Sequence, residues 1–304
     1  MAISRHQLVK ELEPGLNALF GLEYKRYDNQ HAEIYTSESS DRAFEEEVML
    51  SGFGNASVKS EGSGVAFDNA QESYSARYTH ETVALAFAIT EEAIEDNLYD
   101  KISSRYTKAL ARSMSNAKQV KAAAPLNNGL PSVDGFDSGD GVSLFNTAHT
   151  TVSGTNVKNT LSTQADLNET SLEQAMIDIS GMTDERGLRI AAKAVKMIVP
   201  SANQFQAERL MKSQGRVGTA DNDINALGSM GMIPQGYRVN NFLTDTDSFY
   251  IITDVPNGMK MFTRAPLTTA MEGDFDTGNV RYKARERYSF GVSDFRGIFG
   301  VEGA

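Results

Sequence analysis

Apolar residues recur at every fourth position between Thr90 and Ala124, a stretch of this 304-residue chain that contains neither Gly nor Pro. The ridge consists of Ile94, Leu98, Ile102, Tyr106, Leu110 and Met114. This spacing predicts one long helix whose apolar side drifts slowly round its axis. Thr90 is its predicted N-cap, and Lys118 and Lys121 lie near the C-terminal end, where the helix dipole favours cations. Such a helix is about 50 Å long, so we expect another extended element beside it.

Near the end of the chain the apolar residues alternate with a period of two, which predicts a long strand. One face carries Val280, Tyr282, Ala284, Tyr288, Phe290 and Val292, and the other carries Arg281, Lys283, Arg285 and Arg287. Four cations on one strand face repel each other unless carboxylates, phosphates or water screen them. Three interpretations stay open: contact with nucleic acid, pairing with Glu45, Glu46 and Glu47 of a neighbouring molecule, and a solvated face.

A glycine-punctuated segment from residue 31 to residue 89 predicts a long antiparallel hairpin. Its period-two positions are Tyr74, Ala76, Tyr78, Val83, Leu85, Phe87 and Ile89. Apolar residues are sparse between Tyr35 and Ser73, so the hairpin lacks a core of its own, and an isolated hairpin is only marginally stable. We therefore expect it to lie on another molecule.

The first 30 residues predict a short amphipathic segment that is interrupted by Pro14 and Gly15. Its apolar positions are Leu8, Leu12, Leu16, Leu19 and Phe20. A helix of this length is marginal in water, so we expect it to need a surface on its own subunit or on a neighbour.

A helix is predicted soon after residue 168, with Thr170 and Glu173 as its capping box and Gly187 as its stop. Its apolar stripe consists of Leu172, Ala175, Met176 and Ile179. The apolar run at 194–199 then predicts a short buried strand.

A further helix is predicted to open at Pro200 and Ser201, with Ser201 and Gln204 as a second capping box. Phe205 and Leu210 are predicted to face inward, and Gly215 to close the helix.

Residues 215–236 predict a loop too long to be a plain connector, which makes it a candidate contact loop. Strands are predicted at Tyr237–Asn240, Phe249–Thr253 and Met259–Phe262, the last two separated by a turn at 256–258. We expect these elements to form a compact α+β unit.

Charge and composition exclude several classes of partner and site. The chain has 40 acidic and 29 basic residues and a formal net charge of -11, so as a whole it does not attract nucleic acid or an anionic membrane surface. It has no Cys, which excludes disulfides, thiolate catalysis and Cys-based metal sites. It shows no apolar run of signal-peptide or transmembrane length, so we expect a cytoplasmic protein.

One stretch imitates the start of a calcium loop, because Asp221, Asp223 and Asn225 have the right spacing. Ala226 and Met232 occupy the positions of the Gly and the Glu that such a loop requires. We interpret it as a hydrogen-bonded loop and expect neither a metal nor a cofactor.

The histidines are scattered over different elements, at His6, His31, His80 and His149. His80 is followed by Glu81 but lacks the second His of a zinc-protease helix. His149, in FNTAHTTV, is a candidate general base beside a distant carboxylate, although a loop histidine held by local hydrogen bonds is the competing interpretation.

Six segments, in this order along the chain, carry a family resemblance: AFEEEVMLSGFGNASVKSEG, HETVALAFAITEEAIEDNLYD, FNTAH, AVKMIVPSANQFQAERLMKS, DSFYIITDVPNGMKMF and RYKARERYSFGVSDFRGIFG. Together they resemble the major capsid proteins of tailed bacteriophages, and among these the Mu-like prophage major head subunit group. The resemblance covers nearly the whole chain and implies an α+β phage major-capsid fold.

Five regions follow from this resemblance: an N-terminal arm (1–30), an extended β-hairpin or E-loop (31–89), a spine helix with a peripheral domain (90–167), an axial domain (168–272) and a returning long strand of the peripheral domain (273–304). The E-loop would lie over an adjacent subunit. Residues 215–236 would line the axis of a capsomer.

The resemblance also implies a function without catalysis. Copies of the chain would form hexamers and pentamers that close into an icosahedral virion head around double-stranded DNA, contacted non-specifically on the inner face. Assembly would take place in the cytoplasm of the host bacterium, with a separate scaffolding protein, a portal, in some shells decoration proteins, and no membrane. The alternatives are the shell of an encapsulin-like nanocompartment and a hydrolase that uses His149.

Overall fold

The computed structural model describes residues 5–95, 99–133, 135–216, 223–274 and 278–304, with side chains except at 5–12 and 94–102. The helices are α1 (Arg5–Arg26), α2 (Glu91–Glu95), α3 (Tyr99–Asn128), α4 (Glu169–Ser180), α5 (Gln204–Lys212) and α6 (Ala226–Met230). The strands are β1 (Thr36–Ser39), β2 (Phe44–Leu50), β3 (Glu72–Thr79), β4 (Glu81–Ile89), β5 (His149–Thr150), β6 (Asn156–Val157), β7 (Ala194–Val199), β8 (Tyr237–Val239), β9 (Phe249–Thr253), β10 (Met259–Gly273), β11 (Val280–Val292) and β12 (Ile298–Val301). None of the described helices is long and apolar enough to cross a membrane.

The first sheet has the strand order β1-β10-β11-β4 and is built on the long antiparallel pair of β10 and β11. β1 joins β10 in parallel, and β4 joins β11 antiparallel. Along β11 the even-numbered residues from Val280 to Tyr288 are buried, while Arg281, Lys283 and Arg285 are exposed. This alternation confirms the predicted strand and gives the sheet one buried face and one open face.

Two helices cover the buried face of the first sheet. Leu16 and Phe20 of α1 and Leu110 and Met114 of α3 pack in one cluster with Tyr282 of β11. The structure thus confirms that an extended strand lies beside the long helix.

The second sheet has the order β12-β9-β7-β8. Its strands share one large core with α4 and α5, in which Leu172, Met197, Leu210, Phe249 and Phe299 are buried. β7 and β9 have the bounds that the sequence predicts, because short, fully apolar runs between turn residues leave few alternatives.

A hairpin of β2 and β3 projects from these two sheets, paired from Phe44 with Thr79 outward. Its root lies across one end of the open face of the first sheet. There the Tyr78 ring packs against Phe262, with 4.8 Å between ring centroids, and against Gly291, where a Cβ atom would come within 2.6 Å of the ring. Only glycine allows this close approach.

The long helix differs from the prediction in its extent. Thr90 Oγ1 accepts a hydrogen bond from Ala93 N at 3.4 Å, which confirms the N-cap, but residues 96–98 between α2 and α3 lie outside the described residues. α3 continues through Pro125 to Asn128, so the predicted end near Ala124 is wrong. The burial of Leu126 in the main core offsets the hydrogen bond that proline removes.

The predicted apolar ridge of the long helix is confirmed at Leu110 and Met114, which are buried, and is wrong at Tyr106. Tyr106 is exposed, and the side chains of Ile94, Leu98 and Ile102 lie outside the described residues. The buried side consists of Ser103, Thr107, Leu110, Ala111, Met114, Ser115, Gln119, Ala122 and Leu126. Polar residues share this side, so the spacing of apolar residues alone does not locate it.

The N-terminal segment is one helix instead of an interrupted one. α1 passes through Pro14 and Gly15, both exposed, because the packing of Leu16 and Phe20 on the sheet and on α3 outweighs one lost hydrogen bond. The side chains of His6, Leu8 and Leu12 lie outside the described residues.

The hairpin is shorter than the predicted 31–89. It consists of 44–79, whereas β4 is an edge strand of the first sheet. Residues before it belong to the body, since Tyr35 OH donates a hydrogen bond to Ala122 O at 2.6 Å. A period of two is the same in a hairpin strand and in a sheet-edge strand, which is why the sequence does not separate them.

α4 keeps its predicted apolar stripe but not its predicted ends. The N-cap is Asn168, whose side chain exchanges hydrogen bonds with Ser171, instead of Thr170 with Glu173. The helix ends at Ser180, well before Gly187, and Gly187 lies in a later turn with φ +85°.

α5 is preceded by a 3-10 turn at Ser201–Asn203, and no side-chain cap hydrogen bond forms at Pro200 or Asn203, so the second predicted capping box is wrong. Leu210 is buried as predicted, but Phe205 is exposed. The helix ends at Lys212 instead of near Gly215.

The predicted division at residue 272 does not match the sheets. Met259–Phe262 is the first part of β10 and pairs with β1 and β11 of the first sheet. β12, in the predicted returning segment, instead completes the second sheet. Both sheets therefore take strands from both sides of that boundary.

Glu286 is a buried carboxylate on the helix-facing side of β11, only 4% exposed. Its Oε2 lies 3.3 Å from Nζ of Lys118 on α3, and its Oε1 accepts a hydrogen bond from Tyr24 OH on α1 at 2.9 Å. A buried carboxylate is strongly unfavourable unless it is paired. Glu286 therefore links both helices to the central strand at one point. Lys118 forms this ion pair and does not stabilise the helix end as predicted.

We predict that Lys118→Met lowers the free energy of unfolding by about 3 kcal/mol, because it leaves Glu286 buried with only the Tyr24 hydroxyl as partner. Lys108→Met, on the exposed side of the same helix, is the control and changes stability by less than about 0.5 kcal/mol. Urea denaturation of the unassembled subunit, followed by circular dichroism, measures both. Equal effects of the two substitutions would contradict the role of the pair.

Candidate assembly interface

The four cations of β11, here called the basic stripe, are Arg281, Lys283, Arg285 and Arg287, and they lie on the open face of the first sheet. Opposite them on β4 are Ala88, Ala86, Ala84 and Thr82, which are all exposed. These short side chains do not cover the charged groups. The basic stripe is therefore a flat and accessible positive surface.

The basic stripe is neutralised at one end only, as far as the described residues show. Arg281 Nη2 pairs with Asp274, while Lys283, Arg285 and Arg287 have no ion pair among those residues. The Nε atoms of Arg287, and of Arg264 on the neighbouring strand β10, are buried and have no hydrogen-bond partner within the described residues.

Both guanidinium groups lie near His80 and act on its ring. Burial, together with the positive charges of Arg287 and Arg264, holds the pKa of His80 below its ordinary value. A cluster of uncompensated guanidinium groups in an acidic chain favours an external anion.

Two of the three predicted acidic partners make contacts within the hairpin region of their own subunit. Glu45 Oε1 accepts a hydrogen bond from Ser40 Oγ at 2.6 Å. Glu46 Oε1 lies 3.7 Å from Arg77 Nη1 on the adjacent strand, and both side chains are about half exposed. The subunit does not bring these carboxylates to its own basic stripe.

Glu47 has a different role, which depends on a buried lysine that the sequence analysis missed. Lys260 Nζ lies 2.5 Å from Glu47 Oε1 and 3.2 Å from Glu38 Oε1, and the second oxygen of Glu47 accepts a hydrogen bond from Ser293 Oγ. This buried network attaches the hairpin root to the first sheet. The only signal in the sequence is a lysine inside the apolar run GMKMF.

The hairpin exposes a set of large apolar side chains, here called the hairpin apolar set: Phe44, Val48, Leu50, Phe53, Val58, Val65 and Phe67. Val58 and Phe67 are each 98% exposed. Large apolar side chains left exposed together in one segment indicate an interaction surface. The sequence predicts a segment poor in apolar residues and does not reveal the set, because its members at 53–67 follow no regular period.

His149 has no exposed surface, and both of its ring nitrogens are hydrogen-bonded. Nδ1 lies 2.6 Å from Asp140 Oδ2, and Nε2 lies 3.1 Å from Asn159 Oδ1. Asn159 Nδ2 donates to the carbonyl oxygens of Leu144 and Phe295, so Asn159 Oδ1 accepts and His149 Nε2 donates. Nδ1 is engaged by the Asp140 carboxylate, so neighbouring side chains hold both nitrogens of the ring.

The surroundings of the His149 ring give it a structural role. The Phe295 ring stacks on it at 3.9 Å between centroids and 9° between planes. Burial raises the pKa of Asp140, but hydrogen bonds from His149 and Ser138 outweigh burial and keep this pKa below its ordinary value. A ring without exposed surface does not reach a substrate, which opposes the predicted alternative role of His149 as a general base.

The loop that imitates a calcium site is held by hydrogen bonds. Asn225 accepts from Gly228 N at 3.3 Å and donates to Leu210 O and Ser213 O. Asp221 lies outside the described residues, and within the described ranges no group of three or more acidic or histidine side chains is arranged to hold a metal ion. These contacts confirm Asn225 as a residue of a hydrogen-bonded loop.

The model of the family described as phage capsid protein matches residues 73–301. This range contains β3, the basic stripe and all of the second sheet. No curated protein matches the sequence.

Similar solved structures include the capsid of Myoviridae phage XM1, with a TM-score of 0.55, 13% identity and 89% of each chain covered. They also include the virus-like particle from Pyrococcus furiosus, with a TM-score of 0.54, 10% identity and coverage of 95% of this chain and 98% of that one. A chain from Mycobacterium phage Adephagia has a TM-score of 0.53 and 12% identity, with 90% and 89% covered. At these identities the similarity shows the fold alone, and it confirms the fold inferred from the sequence.

We predict that His149→Ala lowers the free energy of unfolding by about 3 kcal/mol, because it removes the stacked ring and the hydrogen bond of His149 to the buried Asp140 carboxylate. Thr147→Ala, an exposed position of the same loop, is the control. Thermal unfolding of the unassembled subunits measures the difference. An unchanged midpoint for His149→Ala would contradict the structural role of the buried ring.

Proposed function

The chain belongs to the phage capsid protein family, and from this premise we propose how its subunits hold one another. It is a major capsid protein, whose copies assemble into the icosahedral shell of a virion. The proposal concerns the two surfaces described above, the hairpin apolar set and the basic stripe.

The observation that carries the proposal is the exposure of the hairpin apolar set. Burying one large apolar side chain contributes about 1.5–3 kcal/mol, and a symmetric assembly repeats that gain at every interface. The hairpin has no apolar layer of its own for these side chains. The hairpin 44–79, the E-loop of this subunit, therefore lies over an adjacent subunit and buries them there.

The basic stripe contacts carboxylates of a neighbouring subunit. Its support is the lack of ion pairs at Lys283, Arg285 and Arg287 among the described residues and the surplus of acidic residues in every copy. Of the three glutamates at 45–47, Glu46 fits this role best, because its own pair with Arg77 is long and half exposed, whereas Glu45 and Glu47 make short contacts with Ser40, Lys260 and Ser293 of their own subunit.

The finer organisation follows the family resemblance. The subunits form hexamers and pentamers, the second sheet with its helices points towards the capsomer axis, and residues 215–236 line that axis. The shell encloses double-stranded DNA and assembles in the host cytoplasm with a separate scaffolding protein, a portal and, in some shells, decoration proteins. The subunit is not an enzyme, and it belongs with the Mu-like prophage head subunits.

Electron cryo-microscopy of the native particles tests this function. DNA-filled heads attached to tails are expected. Small shells filled with protein would support the encapsulin-like alternative, which the match to a phage capsid family does not favour. A monomer that hydrolyses a substrate, and loses this activity in His149→Ala, would support the hydrolase.

We predict that replacing both Phe53 and Phe67 with Ser gives a soluble, folded subunit that forms no closed shells, because two of the most exposed apolar side chains no longer dock. Asn55→Ala with Lys59→Ala, in the same segment, is the matched control and assembles normally. Electron microscopy and sedimentation measure the shells, and circular dichroism measures folding. Normal shells from the Phe53 and Phe67 variant would refute docking through the hairpin apolar set.

We predict that Arg285→Glu lowers the yield of shells about fivefold or more, since it places two carboxylates at one interface. Arg112→Glu, exposed on α3, is the control, and adding Glu46→Lys to Arg285→Glu restores part of the yield. Sedimentation measures shell yield, and nuclease protection measures DNA retention. A normal yield of shells that lose their DNA would instead indicate that the basic stripe contacts phosphates.

A further inference from the structure

Residues 52–70 form the tip of the hairpin, beyond a neck that Ser51 and Gln71 close. Ser51 N donates a hydrogen bond to Gln71 O at 2.9 Å, and Gln71 N donates to Ser51 Oγ at 3.0 Å. Apart from a turn at 61–62 the tip has no regular secondary structure, and all of its residues except Gly54 are exposed. Such a segment has no core that fixes its direction.

The carboxylate of Asp68 accepts hydrogen bonds from the tip and from the body of the subunit. Its Oδ2 accepts a hydrogen bond from Gly54 N at 2.7 Å, and its Oδ1 accepts from Asn69 N at 2.9 Å. Arg186 Nη2, outside the hairpin, donates to both oxygens, at 2.9 and 3.1 Å. Within the described part of the chain, every hydrogen bond or ion pair from the tip to a residue outside the hairpin goes to Arg186.

The backbone hydrogen bonds from Gly54 and Asn69, together with Arg186, hold the pKa of Asp68 below its ordinary value. The carboxylate is therefore charged at neutral pH and remains a partner for the guanidinium group. One guanidinium nitrogen of Arg186 donates to both oxygens of this carboxylate, so the contact ties the tip to the body at a single point.

Arg186 follows a rigid part of the body. The preceding residue, Glu185, is buried and pairs with Nη2 of buried Arg296 at 2.7 Å. Arg296 Nε also donates to Thr183 O at 2.8 Å, and Glu185 Oε2 accepts from Ser73 Oγ at 3.0 Å. The backbone next to Arg186 is thus held by the body of the subunit and, through Ser73, by the start of β3 next to the neck.

Asp68 lies next to the side chains that the tip must present. Phe67 directly precedes Asp68, and Phe53 directly precedes Gly54, whose amide is bonded to Asp68. One contact with Arg186 therefore orients both exposed phenylalanines relative to the body.

We propose that Arg186 is a positioning residue for shell assembly, whose contact with Asp68 directs the hairpin tip so that Phe53 and Phe67 meet the next copy of this chain. This inference rests on the proposed docking of the hairpin. A tip without the contact samples many directions and loses that freedom on docking, which opposes association. With the contact, part of the ordering is already complete in the free subunit, so the contact accelerates assembly.

The test compares three forms of the full chain under conditions in which the unsubstituted chain forms shells. Arg186→Glu places two carboxylates together and slows the appearance of shells about three- to tenfold in light scattering. Arg189→Glu, an exposed position of the same loop, is the charge-matched control and assembles at the unsubstituted rate. Arg186→Lys keeps a positive charge beside Asp68, leaves the hydrogen bonds of Asp68 to Gly54 and Asn69 in place, and retains most of the rate.

Hydrogen exchange of the unassembled subunit gives a second measurement that does not depend on assembly. Arg186→Glu increases the exchange rate of the Gly54 amide, and the amides around the buried Glu185 and Arg296 keep their protection. This outcome would show that the tip is released while the fold of the body is kept.

Two results would overturn the proposal: an unchanged assembly rate in Arg186→Glu, or an Arg186→Lys variant that is as slow as Arg186→Glu. If the unsubstituted chain forms no shells under any condition, the capsid function itself fails. The exchange measurement still decides in that case whether Arg186 holds the tip.

Discussion

Apolar and charged side chains alternate along β11, so one face of the first sheet must be buried and the other must face water or another molecule. α1 and α3 bury the apolar face, and the placement of the other surfaces depends on this packing. The helices occupy the face of Tyr282 and Glu286, so the basic stripe is left on the opposite face, where the hairpin root crosses it near Gly291. A subunit built this way leaves both charged and apolar side chains uncovered, which suits contact with copies of itself.

Buried ion pairs fix the angles between these parts. Glu286 joins both helices to β11, Lys260 joins the hairpin root to the first sheet, and Arg296 joins the 183–185 backbone to the segment that precedes β12. Such pairs add little net stability compared with apolar residues, but separating the partners is strongly unfavourable. Arrangements in which the hairpin or the helices point elsewhere are therefore disfavoured, and the subunit offers its neighbours one defined shape.

The sequence predicts those features in which period and burial coincide. The predictions of β7, of β9 and of the alternation along β11 are confirmed, because the apolar residues of each pattern are the residues that are buried. The helix ridge was misplaced in part because Thr107 and Gln119 are buried polar residues, and β4 was assigned to the hairpin because its period is the same in either place. The charges of the basic stripe could be named from the sequence, whereas Lys260 and Arg186 could not, because their partners lie more than a hundred residues away along the chain.

The course of the last strand has a consequence for the order of folding. β12 pairs with β9 in the second sheet, and β1 pairs with β10 more than 200 residues later, so neither sheet closes until residues 260–301 have left the ribosome. Contacts of such long sequence separation form slowly. The hairpin needs β10 and β11 beneath its root, so a nascent chain does not hold it in place. Subunits therefore become competent to recruit partners only after β10, β11 and β12 have been synthesised, which delays shell growth relative to the synthesis of the hairpin.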